Sequence, residues 1–397
     1  MKKQLFSLAL LLCLAFGAVT VQAQDRWAGA DDLPTNPLEC PGGEAAAAEE
    51  PMATEEAMTE EASMESTEEA AMEGAGGGYD GGQAVNPPDL AGQPITLVDV
   101  PKLIGIGYFA ATTQGQQEAA AELGNVTVTT DAPTEANIDD QITFIDNYIT
   151  QGVNGILFAA NDPVAIAPVL RRALEAGIHV VGYDANSEPD AREWFVNQAE
   201  FNGIGKSMID SIVAEIGEDG SFAIVTSTFT TPNQARWIAE MQAYQEKCFP
   251  NLVWLETVEA QEDNILSFNQ ATTLLTKYGE DLDGLFGMTS VATPAAAEAV
   301  TQAGLCGQVA VVGLATPNAM KPYVESDCVK SVVLWNPIDL GYAAVYVMRA
   351  VVDGTLTPES TSVEAGRLGT LQVVNGSEIL LGLPFIFTKD NINDFDF

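Results

Sequence analysis

Residues 155–184 read GILFAANDPVAIAPVLRRALEAGIHVVGYD, and this stretch decides the fold class. It begins with a short apolar run, Gly155–Ala160, and ends with another, Val180–Tyr183. Between them, Val164–Ala176 has apolar residues that recur at intervals of three and four, the spacing of one helix face. A strand, a helix and a second strand at this spacing predict two parallel strands with the helix packed on the sheet.

The same alternation extends outward from this stretch, beginning at about Pro94. A second amphipathic helix is predicted at Ile138–Ile149. The other apolar runs that we predict as strands are Ile95–Val100, Val126–Thr130, Trp194–Val196, Phe222–Thr226, Leu252–Thr257, Leu285–Met288, Val309–Leu314 and Val329–Leu334. Roughly 300 residues are too many for one core of this kind. The sequence therefore predicts an α/β protein with two doubly wound parallel-sheet lobes.

The N-terminus has the features of an export signal. Lys2 and Lys3 precede an apolar stretch that is too short to span a bilayer, and Val21-Gln22-Ala23 is typical of a cleavage site. We predict a signal peptide at residues 1–23 and an exported mature chain. Lipidation at Cys13 is the alternative.

Residues 24–93 differ in composition from everything that follows. They are rich in Ala, Glu, Met and Gly, and no basic residue lies between Arg26 and Lys102. With few apolar side chains to bury, this segment is predicted to be a disordered acidic linker. The formal net charge of the chain, -40, argues against a nucleic-acid partner, whose phosphates require Lys and Arg.

The number and spacing of the cysteines and histidines restrict the disulfides, metal sites and catalytic groups that the chain can form. Cys13 leaves with the signal, while Cys306 and Cys328 each precede a predicted strand in consecutive units, so a disulfide between them is plausible. The sequence has no C-x-x-C spacing, and His179 is its single histidine. We therefore expect no zinc site, no histidine-based catalytic triad and no cofactor.

Ligands of open α/β sheets bind beyond the carboxyl ends of the strands, so residues that follow the predicted strands are candidate site residues. In the first half these are Lys102, Tyr108, Phe109 and Asp184, with Asn161, Asp162 and Asn186 as a second tier. In the second half they are Asn233, Gln234, Met288, Thr289, Ser290, Trp335 and Asn336, and Thr316 and Asn318 follow a further strand.

This set of side chains favours a sugar ligand. Aromatic rings stack on the apolar faces of a sugar, while carboxylates, amides and a lysine hydrogen-bond its hydroxyls. The set lacks a nucleophile activated by a base, which an enzyme would need. Structural roles remain as alternatives: core packing for Tyr108 and Phe109, hinge packing for Trp335, solvation for Lys102, and helix capping for Asp184 and, as the favoured interpretation, for Asp162.

Seven segments together carry a family resemblance. They are 101–109 (PKLIGIGYF), 132–135 (APTE), 160–163 (ANDP), 182–184 (GYD), 316–324 (TPNAMKPYV), 334–342 (LWNPIDLGY) and 391–397. From Pro94 to Phe397 the chain resembles the type I periplasmic sugar-binding proteins of ABC importers, and within them the rhamnose-binding and autoinducer-2-binding branch.

The resemblance implies two lobes joined by a three-strand hinge, with crossings near Asn197, Leu314 and Pro384. The first lobe would comprise residues 94–196 and 315–383, and the second 197–314 and 384–397. The resemblance also implies a monomer that closes around a ligand and delivers it to the permease of an ABC importer.

The resemblance bears on the ligand as well. The residues that match ligand contacts of the autoinducer-2-binding branch are Lys102, Asp184 and Gln234. The positions that depart from that branch are Asn233, Met288 and Ser290. Three segments are closer to the rhamnose-binding pattern: Asn233-Gln234, residues 335–342 and residues 365–369. We expect a non-catalytic receptor for rhamnose or a related deoxy sugar; an autoinducer-2 receptor and a ligand carrier for a sensor kinase are the alternatives.

Overall fold

The first lobe is built on parallel strands with helices between them. The computed structural model describes residues 40–41 and 78–397. Its first elements are β1 (Ile95–Val100), α1 (Gly107–Leu123), β2 (Val126–Thr130), α2 (Ile138–Gln151), β3 (Gly155–Phe158), α3 (Pro163–Glu175), β4 (His179–Tyr183) and β5 (Trp194–Asn197). These strands pair in parallel in the spatial order β5-β4-β3-β1-β2. The stretch 155–184 is the β3–α3–β4 unit, as its periodicity predicts.

Local chemistry sets the start of α3. The Oδ1 of Asp162 accepts hydrogen bonds from the backbone N–H groups of Val164 (2.9 Å) and Ala165 (2.8 Å). Pro163 occupies the first helical position, where its missing N–H costs nothing. Asp162 is thus a helix cap.

The second lobe repeats the same alternation. Its elements are α4 (Phe201–Ile216), β6 (Ser221–Thr226), α5 (Pro232–Cys248), β7 (Val253–Glu259), α6 (Asn264–Tyr278), β8 (Gly284–Gly287), α7 (Ala292–Ala303), β9 (Ala310–Gly313), α8 (Pro317–Glu325) and β10 (Ser331–Leu334). The parallel order is β7-β6-β8-β9. A bridge between Leu314 and Val333 joins β10 to the far side of β9.

The chain then returns to the first lobe and finally to the second. The remaining elements are α9 (Pro337–Val352), β11 (Ser362–Glu364), β12 (Thr370–Val374), β13 (Glu378–Leu380) and β14 (Phe385–Thr388). β13 pairs in parallel with β5 and carries β12 and β11 on its outer edge, whereas β14 pairs antiparallel with β10. β11–β14 have three to five residues each, too few for a periodic signal, and sequence analysis missed them.

The boundary between the lobes differs from the predicted one at its middle crossing. The first crossing follows Asn197, and the third lies between Leu380 and Phe385. The second lies between Leu334 and Pro337, so the predicted crossing near Leu314 is wrong and residues 315–334 belong to the second lobe. The reason is that Leu314 extends the second sheet to β10 instead of leaving it.

Close packing of α9 on α1 fixes the return to the first lobe. A Cβ on Gly115 would lie 1.8 Å from the carbonyl oxygen of Ile338, and one on Gly341 would lie 2.0 Å from that of Thr112. Both positions therefore need glycine to let the helix backbones meet. This contact holds α9 against the first lobe directly after the crossing.

The last part of the predicted linker is ordered. Tyr79 packs its ring 5.1 Å from that of Trp194 and donates a hydrogen bond to the carbonyl oxygen of Glu193 (2.8 Å). Arg349 donates to the carbonyl oxygens of Leu90 and Gln93, both at 2.9 Å. The prediction of disorder is therefore wrong for residues 78–93, because one aromatic ring and these backbone carbonyls find partners on the lobe that composition cannot show. The predicted signal peptide and the linker residues 24–39 and 42–77 lie outside the described residues.

Two disulfides are present in the described residues. Cys306–Cys328 confirms the pairing considered from the sequence, and Cys40–Cys248 joins the first part of the predicted linker to the end of α5. In the same residues no helix combines the length and apolar character needed to span a bilayer.

Candidate functional site

A cleft lies between the lobes where the carboxyl ends of β1 and β4 face those of β6, β7 and β8. Its lining consists of Lys102, Ile106, Tyr108, Phe109, Asp184, Asn233, Gln234, Trp237, Glu262, Met288, Thr289, Ser290, Leu314, Leu334 and Trp335. Of the candidates outside the second tier, all lie here except Asn336, Thr316 and Asn318, and the last two line an adjoining groove. The strand-end rule thus brings residues from both halves of the chain to one place.

An ion pair crosses the cleft at its centre. The Nζ of Lys102, on the first lobe, lies 2.6 Å from Oε1 of Glu262 on the second lobe and 3.9 Å from Oδ2 of Asp184. The Nε2 of Gln234 donates to the same Glu262 oxygen at 3.2 Å. All four side chains are buried, with Lys102 4 % exposed and Glu262 7 % exposed. The two lobes therefore share one buried charge cluster.

The charges of this cluster are set by burial and by their neighbours. Burial raises the pKa of Asp184 to about 6, against the opposing effects of the Lys102 charge and the Tyr108 hydroxyl. Burial alone would lower the pKa of Lys102, but the carboxylates of Glu262 and Asp184 outweigh it and raise this pKa. Lys102 thus remains a cation at neutral pH.

Aromatic rings form one wall of the cleft. Tyr108 donates a hydrogen bond to Oδ1 of Asp184 (2.8 Å) and accepts one from the indole Nε1 of Trp335 (2.8 Å). Trp335 also packs against Trp237, with ring centroids 5.5 Å apart. Phe109 lies 5.2 Å from Tyr108 and 5.9 Å from the Lys102 ammonium. The rings come from the first lobe, the middle crossing and the second lobe.

The backbone holds two of the acids in conformations that L-residues rarely adopt. Asp184 follows β4 directly with φ 61°, and Glu262 follows β7 with φ 52°, next to Gln261, also at 52°. Such left-handed conformations cost free energy and persist where surrounding structure enforces them, often at binding sites. The surrounding structure therefore holds Asp184 and Glu262 in an unfavourable backbone conformation, and both side chains line the cleft.

Three buried acceptor oxygens in the cleft lack a hydrogen bond from any described residue. They are Oδ2 of Asp184, Oε1 of Gln234 and Oε2 of Glu262. Buried acceptors almost always have partners, because leaving one unpaired costs about 1–3 kcal/mol. The cleft therefore presents a set of acceptors suited to a ligand with several hydroxyl donors.

The space between these side chains is small. It measures about 30 Å³, enough for one or two waters, since a single water needs roughly 10–15 Å³. A monosaccharide is much larger, so the lobes are closed on each other in this structure. A groove of about 550 Å³ adjoins the cleft and shares Ile106, Tyr108 and Ser290 with it.

Four residues predicted as site residues make hydrogen bonds that stabilise the fold. Asn336 caps α9, with its Oδ1 accepting from the N–H groups of Ile338 (2.9 Å) and Asp339 (3.3 Å), and Asp162 caps α3. Asn161 donates to the carbonyl oxygen of Lys102 at 2.9 Å, and Asn186 accepts from Nε of Arg192 at 2.9 Å. The prediction that Asn336, Asn161 and Asn186 line the site is corrected: they lie outside the cleft lining, because their amides bond the start of α9, the Lys102 carbonyl and the Arg192 guanidinium.

Sequence analysis missed Glu262 and Trp237. Glu262 follows β7, and the strand-end rule applied to that strand would have found it. Trp237 lies three residues after Gln234 on α5, the spacing of one helix face, so Gln234 itself was a signal for it.

A cleft lined from two doubly wound lobes by acids, amides, a lysine and rings defines the class of two-lobe α/β ligand-binding proteins. The sequence pattern of the periplasmic binding protein domain matches residues 98–356, more than half of the chain, so the chain belongs to that family.

Known proteins resemble this chain to different extents. The D-ribose/D-allose-binding protein of Pseudomonas aeruginosa is 27% identical over 205 residues, which span 48% of this chain and 60% of that protein. A solved sugar ABC transporter protein from Actinomyces odontolyticus is 31% identical, with 79% of this chain and 100% of that chain covered and a TM-score of 0.64. An ABC transporter solute-binding protein from Clostridium phytofermentas, solved with bound L-rhamnose, is 29% identical over 76% of this chain and 98% of that chain, with a TM-score of 0.72.

Proposed function

We propose that this chain is an extracytoplasmic solute-binding protein that captures a monosaccharide, with rhamnose or a related deoxy sugar favoured, and delivers it to an ABC transporter. The observation that carries the proposal is the set of buried oxygens on Asp184, Gln234 and Glu262 that accept no hydrogen bond from the described residues. Their best partner is a neutral molecule with several hydroxyl groups, because each hydroxyl can donate one hydrogen bond.

The apolar part of the lining supports a deoxy sugar. Ile106, Leu314 and Leu334 line the same cleft as the acceptors. A methyl group in place of a hydroxyl gains from this apolar surface and leaves no buried donor unpaired. The similarity to a protein solved with bound L-rhamnose agrees with this choice.

Capture is proposed to proceed by hinge closure. Ligand contacts from both lobes favour closure around the sugar, which replaces the direct contact of 2.6 Å between Lys102 and Glu262. The closed receptor, acting as a monomer, would then be recognised by the permease.

An exported location follows from two independent features. Residues 1–23 have the pattern of a signal peptide, and the structure contains two disulfides. Disulfides persist in oxidising compartments and are rare in the cytosol. We propose a periplasmic or cell-envelope location and no catalytic role.

The test is a thermal-shift screen of the mature chain against L-rhamnose, D-ribose, D-allose, D-arabinose, D-fucose and autoinducer-2. A ligand that binds the folded form alone raises the melting temperature, and the largest shift should come from a deoxy sugar. A shift with autoinducer-2 alone would replace the sugar assignment. The absence of a shift across the panel would contradict the proposal.

The cleft itself is tested with Gln234→Ala. This variant should weaken binding of the best sugar by about 1 kcal/mol or more in calorimetry, the scale of a lost hydrogen bond. Gln242→Ala, on an exposed position of the same helix, serves as the control and should bind like the parent.

A further inference from the structure

Glu262 is the least expected member of the cleft. It lies in the loop between β7 and α6, is 7 % exposed, and adopts a left-handed backbone conformation together with its neighbour Gln261. A buried carboxylate and two consecutive strained residues are both costly. The presence of both destabilising features in one loop indicates that the Glu262 carboxylate has a function in the cleft.

The contacts of Glu262 divide between its two oxygens. Oε1 pairs with Lys102 at 2.6 Å across the cleft and accepts from Gln234 at 3.2 Å. Oε2 is buried and accepts no hydrogen bond from the described residues. A carboxylate that served only to bridge the lobes would be expected to satisfy both oxygens, because a half-satisfied buried ion is destabilising. The free oxygen therefore indicates a partner from outside the chain.

The charges around Glu262 restrict what that partner can be. The charged side chains lining the cleft are Lys102, Asp184 and Glu262, so with both carboxylates ionised the negative charge exceeds the positive by one. A carboxylate or phosphate on a ligand would meet two acids and a single lysine that is already paired. Repulsion between like charges at this range strongly disfavours binding of an anionic ligand. A neutral hydroxyl meets no such repulsion and can donate a hydrogen bond to either acid.

We propose that Glu262 is a ligand-binding residue that sets specificity: its Oε2 accepts a hydrogen bond from a sugar hydroxyl, and its charge excludes sugar acids and sugar phosphates. This inference rests on the proposed function and adds to it a determinant of the substrate class. Glu262 is carried by the second lobe and reaches the ligand together with Lys102 of the first.

The experiment measures calorimetric affinities of the parent and of Glu262→Gln for L-rhamnose, or the best neutral sugar of the panel, and for D-glucuronate and D-galacturonate. The parent should bind the neutral sugar much more tightly than either acid, whose weak affinity is measured at high acid concentration. Glu262→Gln should lose about tenfold or more in affinity for the neutral sugar, because a charge-assisted hydrogen bond becomes a neutral one. The ratio of its affinity for the neutral sugar to its affinity for the acids should also fall by at least about tenfold.

Two control variants separate this role from a structural one. Glu280→Gln removes a negative charge from an exposed site of the same lobe, and Gln261→Gly relaxes the strained loop without changing a cleft side chain. Both should keep the parent's ratio of neutral-sugar to sugar-acid affinity. A merely structural Glu262 would change overall affinity but leave this ratio unaltered.

The outcomes are distinct. If the parent binds no sugar, the proposed function and this inference are both refuted. If the parent binds the neutral sugar and Glu262→Gln shows the same affinity and the same discrimination, the inference on Glu262 alone is overturned. If Glu280→Gln changes the ratio as much as Glu262→Gln does, long-range charge and not contact is responsible, and the inference is again overturned.

Discussion

Two buried aspartates of the first lobe lie in or directly after strands that β3 separates, and their surroundings differ. Asp184 follows the end of β4; Tyr108 donates a hydrogen bond to its Oδ1 at 2.8 Å, and the Lys102 ammonium lies 3.9 Å from its Oδ2. Asp99 lies inside β1, fully buried, and accepts from Thr130 at 3.2 Å. Burial raises the pKa of Asp184 to about 6 and that of Asp99 to about 7. No cation acts on the pKa of Asp99.

The difference shows what the end of a strand offers. A side chain inside a sheet meets its own lobe, so Asp99 holds its proton up to about pH 7 and forms part of the interior. A side chain at the carboxyl end can meet a cation and the opposite lobe, so Asp184 keeps more of its charge. Ligand recognition therefore belongs to the strand ends, where charge can be buried and still compensated.

Removing the cation should have the largest effect. Lys102→Met leaves Asp184 and Glu262 as buried carboxylates without compensation, which we expect to weaken sugar binding by about 3 kcal/mol or more. Calorimetry measures this loss, and Lys330→Met, at an exposed lysine of the second lobe, is the control. Undiminished affinity in Lys102→Met would mean that the cleft acids need no cation, and the contrast with Asp99 would disappear.

The next effect is on stability and concerns Asp99. Because its folded pKa is raised to about 7, the folded state binds a proton that the unfolded state has released above about pH 4, so Asp99 lowers stability as pH rises from about 4 to 7. Each pH unit in this window changes the free energy of unfolding by at most about 1.4 kcal/mol. In urea unfolding, the stability of the parent relative to that of Asp99→Asn should fall between about pH 4 and 7 and stay level above that range. Parallel stability curves for the two proteins would refute this assignment.

The smallest effect concerns the pH dependence of binding. A charged Asp184 accepts hydroxyl donors better than a protonated one, so sugar affinity should fall as pH drops below about 6, by less than tenfold between pH 6 and 5. Asp184→Asn should bind more weakly at pH 7 and lose this pH dependence. Asp99→Asn should keep it, and an identical pH profile in all three proteins would remove Asp184 from the ligand contacts.

The sequence alone predicted the alternation of strands and helices. Periodicity is a local property, and buried parallel strands such as β3 read as apolar runs between recognisable helices. The strand-end rule then selected Lys102, Asp184 and Gln234, because parallel strands bring their carboxyl ends to one edge. The sequence also suggested the Cys306–Cys328 pairing, because each cysteine precedes a predicted strand and the two strands follow one another along the chain.

Tertiary structure decided the contacts between distant segments. Lys102 and Glu262 are separated by 160 positions, and no local pattern predicts that they meet. The middle crossing, the ordered segment 78–93 and the disulfide Cys40–Cys248 likewise depend on which surfaces pack together. Periodicity determines how each segment buries its apolar face, but partner choice between segments is set by the packing and charge balance of the whole fold.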